Sequence, residues 1–219
     1  MRRVDNWVGV PVCLLLGAGE AVRRRFAPTA PLPRSADVRR VLVVKFLGLG
    51  SIVEATPAFR LLHARWPGAR LSFLTFEGGR ELAERLGVFE EVRAIRTRSL
   101  PAFAFDALRA VRWGRRRRFD VSYDLEFFSK FSYIMSYLIS ARARVGYFVR
   151  VLRYVRLLTH PVPYNSTRHV SEAFAAQVAD DPPPAAANLP VRDVPPRDRP
   201  LLPRPVVEPE AHALARPRG

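Results

Sequence analysis

Apolar residues change their spacing at the start of the central region of the chain. Residues 41–44 are a short β-branched and apolar run, and a glycine pair, Gly48 and Gly50, follows it. Further on, apolar residues recur three and four positions apart, at Ile52, Ala55, Phe59, Leu62 and Trp66. This pattern predicts a buried strand, a tight turn and an amphipathic helix, the opening unit of an α/β sheet. Ligands bind outside the carboxyl ends of such strands, so we expect a site at residues 46–51.

The alternation of strands and helices continues along the chain. Strands are predicted at 71–76, 92–95, 121–125 and 145–147, and helices at 80–86, 103–113, 129–139 and 169–178. Connections of a few residues between such elements favour a parallel sheet that helices cover on both faces. The predicted fold class is therefore α/β, with a Rossmann-like sheet.

Composition divides the chain into four parts. With 219 residues, 48% of them hydrophobic, it can bury one core of domain size, which we place at residues 41–179. Residues 29–40 are rich in Pro and Arg and are predicted to be a linker. Residues 180–219 hold more than half of the 20 prolines without apolar periodicity, so we expect a disordered or extended tail.

The first part, residues 1–28, contains an apolar stretch between two arginine clusters. The stretch is shorter than the roughly 20 apolar residues that span a bilayer, and Pro11 and Glu20 interrupt it. Three interpretations remain open: a helix lying on an anionic membrane surface, a secretory signal peptide, or a helix that packs on the domain itself.

The formal net charge of +16 indicates attraction to an anionic partner. Almost all of it comes from Arg, with Lys only at positions 45 and 130, so a GC-rich genome could equally have produced it. Nucleic-acid binding would rest on charge alone, and no specific nucleic acid is predicted. The single cysteine, Cys13, excludes an internal disulfide framework and a multi-cysteine metal site.

Residues 45–59, KFLGLGSIVEATPAF, resemble the signature of the family 9 glycosyltransferases, which include the heptosyltransferases of lipopolysaccharide core assembly. Four later segments resemble family motifs in the same order: WPGA at 66–69, FDVSYDL at 119–125, ARARVGY at 141–147 and HVSE at 169–172. The resemblance covers residues 41–179.

This resemblance implies the amino-terminal half of a GT-B enzyme, in which one Rossmann-like domain holds the acceptor and a second holds the nucleotide sugar. The implied reaction is inverting transfer from a nucleotide sugar such as an ADP-heptose, with no other cofactor and no metal. The implied acceptor is lipopolysaccharide core or a related glycolipid, at the cytoplasmic face of an inner membrane. We expect this chain to hold only the first of these two domains. A truncated or frameshifted gene, or a partner chain that supplies the donor-binding domain, would explain why the second is missing. The alternative function is a non-catalytic, degenerate domain that binds a membrane or a partner enzyme.

The resemblance also places the candidate catalytic residues. The family has a Gly-Asp pair whose carboxylate acts as general base, and Ser51 occupies that position here. A serine hydroxyl cannot hold a proton taken from a sugar alcohol, whereas a carboxylate can. The candidate substitutes are Glu77, Asp124 and Glu126, at predicted carboxyl ends of strands, and as a fourth Glu54, one turn into the first helix. Ser51 could instead simply cap the helix. Thr56 and Pro57 offer a competing helix start, with Thr as the cap and Pro at the first helical position.

The candidate substrate-binding residues surround the glycine turn: Lys45, Gly48, Gly50, Glu54 and Asp124. Gly48 and Gly50 would let backbone N–H groups approach a polar or anionic group at the start of the helix. Lys45 could meet a phosphate or carboxylate of the acceptor, or form an ion pair within the protein. Asp124 and Glu126 lie on one face of their strand and could converge on a ligand.

Overall fold

A computed structural model of the chain describes residues 9–26, 29, 31–127, 129–148, 156–165 and 167–179 and contains six β-strands within them. In chain order these are β1 (Arg40–Val44), β2 (Arg70–Phe76), β3 (Glu91–Ile95), β4 (Val121–Asp124), β5 (Ala143–Phe148) and β6 (His160–Pro163). They form one sheet in the order β3-β2-β1-β4-β5-β6, and every neighbouring pair is parallel. The predicted parallel α/β sheet is confirmed.

Helices cover both faces of this sheet. They are α1 (Gly9–Phe26), α2 (Leu49–Glu54), α3 (Thr56–Arg65), α4 (Glu77–Arg85), α5 (Leu100–Arg117), α6 (Lys130–Ile139) and α7 (Val170–Val178), with a 3-10 turn at Ser35–Asp37. Val41 and Val43 of β1 point into a core built with α2, α3, α4 and α7, and Leu42 and Val44 point into one built with α5 and α6. The period of two in the strand sends successive side chains to opposite faces, so both layers are packed.

The predicted helix after the glycine turn is interrupted at Ala55. Ala55 has φ −79° and ψ −4°, and it separates α2 from α3. Pro57 stands in the first turn of α3. A proline fits there because its missing N–H would have no partner within the helix. The single predicted helix is therefore wrong, and two short helices stand in its place.

Strand β6 was not predicted. Its sequence, His-Pro-Val-Pro, contains two prolines in four residues, which weakens any strand signal. Proline is tolerated on an edge strand because one side of that strand makes no ladder hydrogen bonds. Here β6 pairs only with β5, at the edge of the sheet.

Helix α1 packs on α6 with one side and faces solvent with the other. Its Cys13 is buried against Tyr133, and the buried carboxylate of Glu20 pairs with Arg144 of β5 at 3.0 Å. Its outward side exposes four large apolar side chains, those of Leu14, Leu15, Val22 and Phe26. The third interpretation of this segment, packing on the domain, matches the inner side of the helix. Of the helices described, none has the length and apolar character needed to cross a membrane.

The domain extends slightly beyond its predicted start. Val38, inside the predicted linker, is buried in the core, and β1 begins at Arg40. Residues 1–8 and the predicted tail at 180–219 lie outside the described residues.

Candidate functional site

The strand order of the sheet reverses between β1 and β4. The chain adds β2 and β3 on one side of β1 and then returns to add β4, β5 and β6 on the other side. Ligands of open parallel sheets bind at the carboxyl ends of strands where the order reverses in this way. The loop after β1, which holds Lys45 and Gly48, and the loop after β4, which holds Glu126, lie side by side at this point. We call this edge of the sheet the carboxyl edge.

Glu126 fastens the two loops together. Its Oε1 accepts hydrogen bonds from the Lys45 Nζ at 2.6 Å and from the backbone N–H groups of Phe46 and Leu47, both at 2.9 Å. The Lys45 and Glu126 side chains are only 3% and 4% exposed. Of the two alternatives for Lys45, the structure contains the ion pair. Glu126 therefore holds the shape of the glycine loop, and its Oε1 is fully engaged.

Asp124 is enclosed behind Glu126. Its Oδ1 accepts a hydrogen bond from the Glu126 N–H at 3.1 Å, and the Ser136 hydroxyl lies 3.5 Å from its Oδ2. Burial raises the pKa of the Asp124 carboxyl to about 7, because the charged form loses its hydration. The Asp124 carboxylate is thus bonded to protein groups, including the Glu126 backbone N–H, and the prediction that Asp124 and Glu126 converge on a ligand stays a prediction.

The turn itself depends on Gly48. Gly48 has φ +83°, and a Cβ there would lie 2.7 Å from the Ser51 Oγ. The positive φ favours a glycine here, whereas the Ser51 hydroxyl could rotate away from an added Cβ. Gly50 has no atom within 4 Å of a would-be Cβ, so packing does not require a glycine there.

Ser51 is turned back onto this loop. Its hydroxyl lies 3.0 Å from the Leu47 carbonyl oxygen and 2.9 Å from that of Gly48, within donating distance of both. Gly48 occupies the N-cap position of α2, and no side chain caps it. The interpretation of Ser51 as a helix cap is therefore wrong.

Two other carboxylates remain open to solvent near this edge. Glu54 lies one turn after Ser51 in α2, is partly exposed, and has no hydrogen-bond or ionic partner within the part of the chain that is described. Glu77 is the first residue of α4, is 41% exposed, and pairs with Arg98 at 3.3 Å. The candidate carboxylates thus divide into an enclosed pair, Asp124 and Glu126, and an accessible pair, Glu54 and Glu77.

Sequence reasoning missed two polar groups beside Asp124. The Gln177 amide donates to the Asp124 backbone carbonyl at 2.8 Å, while its Oε1 is buried without a partner among the described residues. The Tyr147 hydroxyl is likewise buried and unpaired in that region. The sequence contained one signal for Gln177: it is the single amide on the buried side of α7, whose other buried residues are apolar. Buried polar atoms are rarely left unpaired, so these two are candidate contacts for a water or a ligand group.

Comparison with known proteins gives a match in structure only. No protein-family model and no curated protein sequence matches the chain. Among solved structures, a family 9 glycosyl transferase from Veillonella parvula is similar with a TM-score of 0.57 and 15% identity, over 64% of this chain and 40% of that one.

Two Escherichia coli structures are similar to the same extent. Heptosyltransferase WaaC, solved with ADP-2-deoxy-2-fluoro heptose, gives a TM-score of 0.53 at 16% identity, over 64% of this chain and 47% of that chain. ADP-heptose lipopolysaccharide heptosyltransferase II gives a TM-score of 0.52 at 19% identity, over 64% of this chain and 40% of that chain. The chain spans less than half of the length of these enzymes. At this identity the comparison establishes the fold, and these enzymes belong to the family that the sequence motifs resemble.

Proposed function

We propose that this chain is the acceptor-binding domain of a glycosyltransferase of the family 9 type. The observation that carries the proposal is the exposed Gly48 loop at the reversal of strand order, to which the buried Lys45–Glu126 pair is hydrogen-bonded. Residues 47–50 of this loop are exposed, so their backbone is available to an acceptor. The fold shared with three family 9 enzymes supports the same assignment.

The reaction would be an inverting transfer from a nucleotide sugar, with an ADP-heptose as the leading candidate donor. A carboxylate removes the proton from an acceptor hydroxyl, and that oxygen forms a bond to the anomeric carbon of the donor sugar. The bond from the anomeric carbon to the diphosphate oxygen breaks, and the nucleoside diphosphate leaves with the electron pair. The acceptor would be lipopolysaccharide core or a related glycolipid.

We assign the base to Glu54. A general base must reach the proton it removes and must be free to accept it. Glu126 and Asp124 are buried and engaged, and Ser51 is a hydroxyl that donates within its own loop. Glu54 is unpaired among the described residues and lies three positions after Ser51, on the same side of α2. Glu77 is the second choice, because its ion pair with Arg98 must first open.

A transfer assay tests this assignment. The substrates are ADP-heptose and a lipopolysaccharide core acceptor, and the chain is assayed alone and with a family 9 donor-binding domain added. We expect Glu54→Gln to abolish turnover, and Ser51→Asp, which restores the family carboxylate, to raise it. The matched control is Glu81→Gln, which removes an exposed carboxylate of α4 that is not a candidate site residue and should leave turnover unchanged, whereas Glu77→Gln tests the second choice. Full activity of the Glu54→Gln variant would refute the assignment.

The alternative is a non-catalytic binding domain, and one observation favours it. At the position of the family base the chain has Ser51, whose hydroxyl bonds only to loop carbonyls within the described residues. On this alternative the chain binds the core acceptor in a calorimetric titration but gives no turnover in either assay. Turnover that appears only with the added domain would instead indicate an enzyme divided between two chains.

We further propose that the domain is peripheral to the cytoplasmic face of an inner membrane, with α1 as the contact. Leu15 and Phe26, on its outward side, are 73% and 82% exposed, and three arginines fill its last turn. Apolar side chains beside basic ones are typical of helices that lie on anionic membranes. Leu15→Glu should reduce co-sedimentation with anionic vesicles that lack glycolipid, and Val53→Glu, an equal charge change on α2, should not. Equal loss in both variants would contradict this role of α1.

A further inference from the structure

A cavity of about 660 Å³ opens at the edge of the sheet opposite the candidate site. It lies at the amino ends of three neighbouring strands, because Arg40 begins β1, Asp120 precedes β4 and Arg142 precedes β5. We call it the amino-edge cavity. The charged residues in its lining are Arg39, Arg40, Arg115, Arg118, Asp120 and Arg142.

The lining has an unbalanced positive charge. Five arginines face one carboxylate, and that carboxylate is committed to the backbone: the Asp120 Oδ2 accepts from the N–H groups of Arg39 at 2.9 Å and of Arg40 at 3.0 Å. The guanidiniums of Arg40 and Arg115 donate to backbone carbonyls. Like charges on a concave wall repel one another unless an anion lies between them.

Three of these guanidinium groups are unpaired within the described residues. Those of Arg39, Arg118 and Arg142 have neither an ion pair nor a hydrogen bond within the described ranges of the chain. Elsewhere exposed arginines do pair with carboxylates, as Arg96 does with Asp106 at 2.7 Å and Arg85 with Glu81 at 2.6 Å. Other exposed arginines in the described region, such as Arg112 and Arg116, lack such partners as well, so what distinguishes Arg39, Arg118 and Arg142 is that they line one cavity together.

The backbone around the cavity is unusual as well. Arg118 at φ 51° and Ser140 at φ 64° are the non-glycine residues with positive φ in the described part of the chain, and both line this cavity. They follow the last residues of α5 and α6. Glycine is the usual residue in this left-handed position at a helix end, because a Cβ is unfavourable there. An arginine at such a position retains a strain that a glycine would remove.

We propose that the amino-edge cavity binds a phosphate monoester or diphosphate through Arg39, Arg118 and Arg142. The planar guanidinium matches phosphate oxygens with paired N–H donors, and several of them around one anion add charge-assisted hydrogen bonds. The volume exceeds that of one phosphate, which leaves room for the group that carries it. The site is at the other end of the strands from the Gly48 loop and does not depend on the proposed transferase function.

Calorimetric titration of the full chain with inorganic pyrophosphate at fixed ionic strength tests the proposal. We expect Arg142→Gln to weaken binding by about tenfold or more, since it removes charged hydrogen bonds. The matched control is Arg116→Gln, the same charge change on an exposed residue outside the lining, for which we expect less than about a twofold effect. No binding by the unmodified chain, or equal losses in both variants, would overturn the proposal.

Arg118→Gly separates binding from folding. It removes one guanidinium and also the unfavourable left-handed Cβ, so it should weaken pyrophosphate binding while raising the midpoint of thermal unfolding. Tight binding by this variant would count against the assigned role of Arg118.

A second titration distinguishes the sources of the phosphate. Arg142-dependent binding to phosphatidylcholine vesicles that contain phosphatidic acid, reversed by pyrophosphate, supports a lipid-borne phosphate. Arg142-dependent binding of pyrophosphate without vesicle binding supports a soluble one.

Discussion

The two ends of the parallel sheet use charged side chains in opposite ways. At the carboxyl edge, Lys45 and Glu126 are buried, paired with each other and bonded to the loop they shape. In the amino-edge cavity, Arg118 and Arg142 are exposed and have no partner in the described part of the chain. The charged side chains at the carboxyl edge therefore stabilise the conformation of the loops, whereas those of the amino-edge cavity are available to a ligand. Removing a charged side chain should therefore lower the free energy of unfolding at the carboxyl edge and weaken ligand binding in the amino-edge cavity.

The largest effect is expected from Glu126→Ala. The substitution leaves the buried Lys45 ammonium without its counter-charge and two loop N–H groups without their acceptor. Breaking a buried ion pair from one side costs about 3–5 kcal/mol of unfolding free energy. Urea unfolding followed by circular dichroism measures it.

The double variant Lys45→Met/Glu126→Leu is the control for this prediction. Replacing both members of a buried pair with apolar residues is far less costly than removing one. We expect the double variant to be more stable than Glu126→Ala, with the remaining loss due to the two loop N–H groups. If Glu126→Ala lost less than about 1 kcal/mol, the pair would be exposed in solution, as surface pairs of that strength are.

The next effect concerns the packing behind Asp124. A Cβ on Gly146 would lie 2.7 Å from the Leu158 Cδ2 and 3.5 Å from the Asp124 Cβ. Overpacking of this kind costs about 1–3 kcal/mol, so Gly146→Ala should be destabilised by that amount in the same urea experiment.

Gly50→Ala is its matched control, because the added Cβ meets no atom within 4 Å. Alanine is favoured over glycine within a helix by about 0.5–1 kcal/mol, so this variant should be slightly more stable than the natural chain. Equal destabilisation of both variants would mean that the packing difference between Gly146, in the tightly packed strand β5, and Gly50, in the open first turn of α2, is not maintained in solution.

A third prediction concerns pH. The pKa of Asp124 is raised by burial to about 7 in the folded chain, from an ordinary 3.8. Between these values the folded chain holds a proton that the unfolded chain has released, so the unfolding free energy falls as pH rises from about 4 to about 7. One proton accounts for a slope of at most about 1.4 kcal/mol per pH unit.

Asp124→Asn isolates this contribution, since the amide keeps an acceptor for the Glu126 N–H and does not titrate. The difference in unfolding free energy between the natural chain and this variant should change with pH only in that window. A difference that stays constant from pH 4 to pH 7 would show that the Asp124 carboxyl is hydrated.

The fold was largely predictable because its signals are local. Runs such as Val41–Val44 indicate their strands directly, and the short connections between alternating strands and helices indicate a parallel sheet. The order of the strands within that sheet was not predicted. The proline-containing β6 was not predicted, because two prolines in four residues weaken the strand pattern and its pairing with β5 is a tertiary contact. The break at Ala55 has a local signal in Thr56 and Pro57, but the pattern did not choose between that helix start and one continuous helix. The class of sheet could therefore be predicted, while its edge strand and this break could not.

The candidate site was predictable in position but not in the state of its side chains. The Gly48 loop and Glu126 were placed at one edge from strand ends alone. Whether Glu126 was free or engaged depended on Lys45, which is 81 residues away in sequence. No sequence motif indicated the amino-edge cavity. Arg39, Arg118 and Arg142 lie in three separate connections, and only the folded sheet brings them together.

The smallest expected effect is a gain in stability at the amino edge. Arg118 follows α5 with φ 51°, a conformation that costs a residue with a Cβ about 1–2 kcal/mol relative to glycine. Arg118→Gly should therefore raise the unfolding free energy by about 1 kcal/mol, measured by urea unfolding. Arg118→Ala removes the same side chain but keeps the Cβ, so it should show little of this gain. If both variants were stabilised equally, relief of repulsion among the cavity arginines would be the cause. Such repulsion weakens with added salt, whereas backbone strain does not, so repeating the comparison at high salt decides between the two explanations.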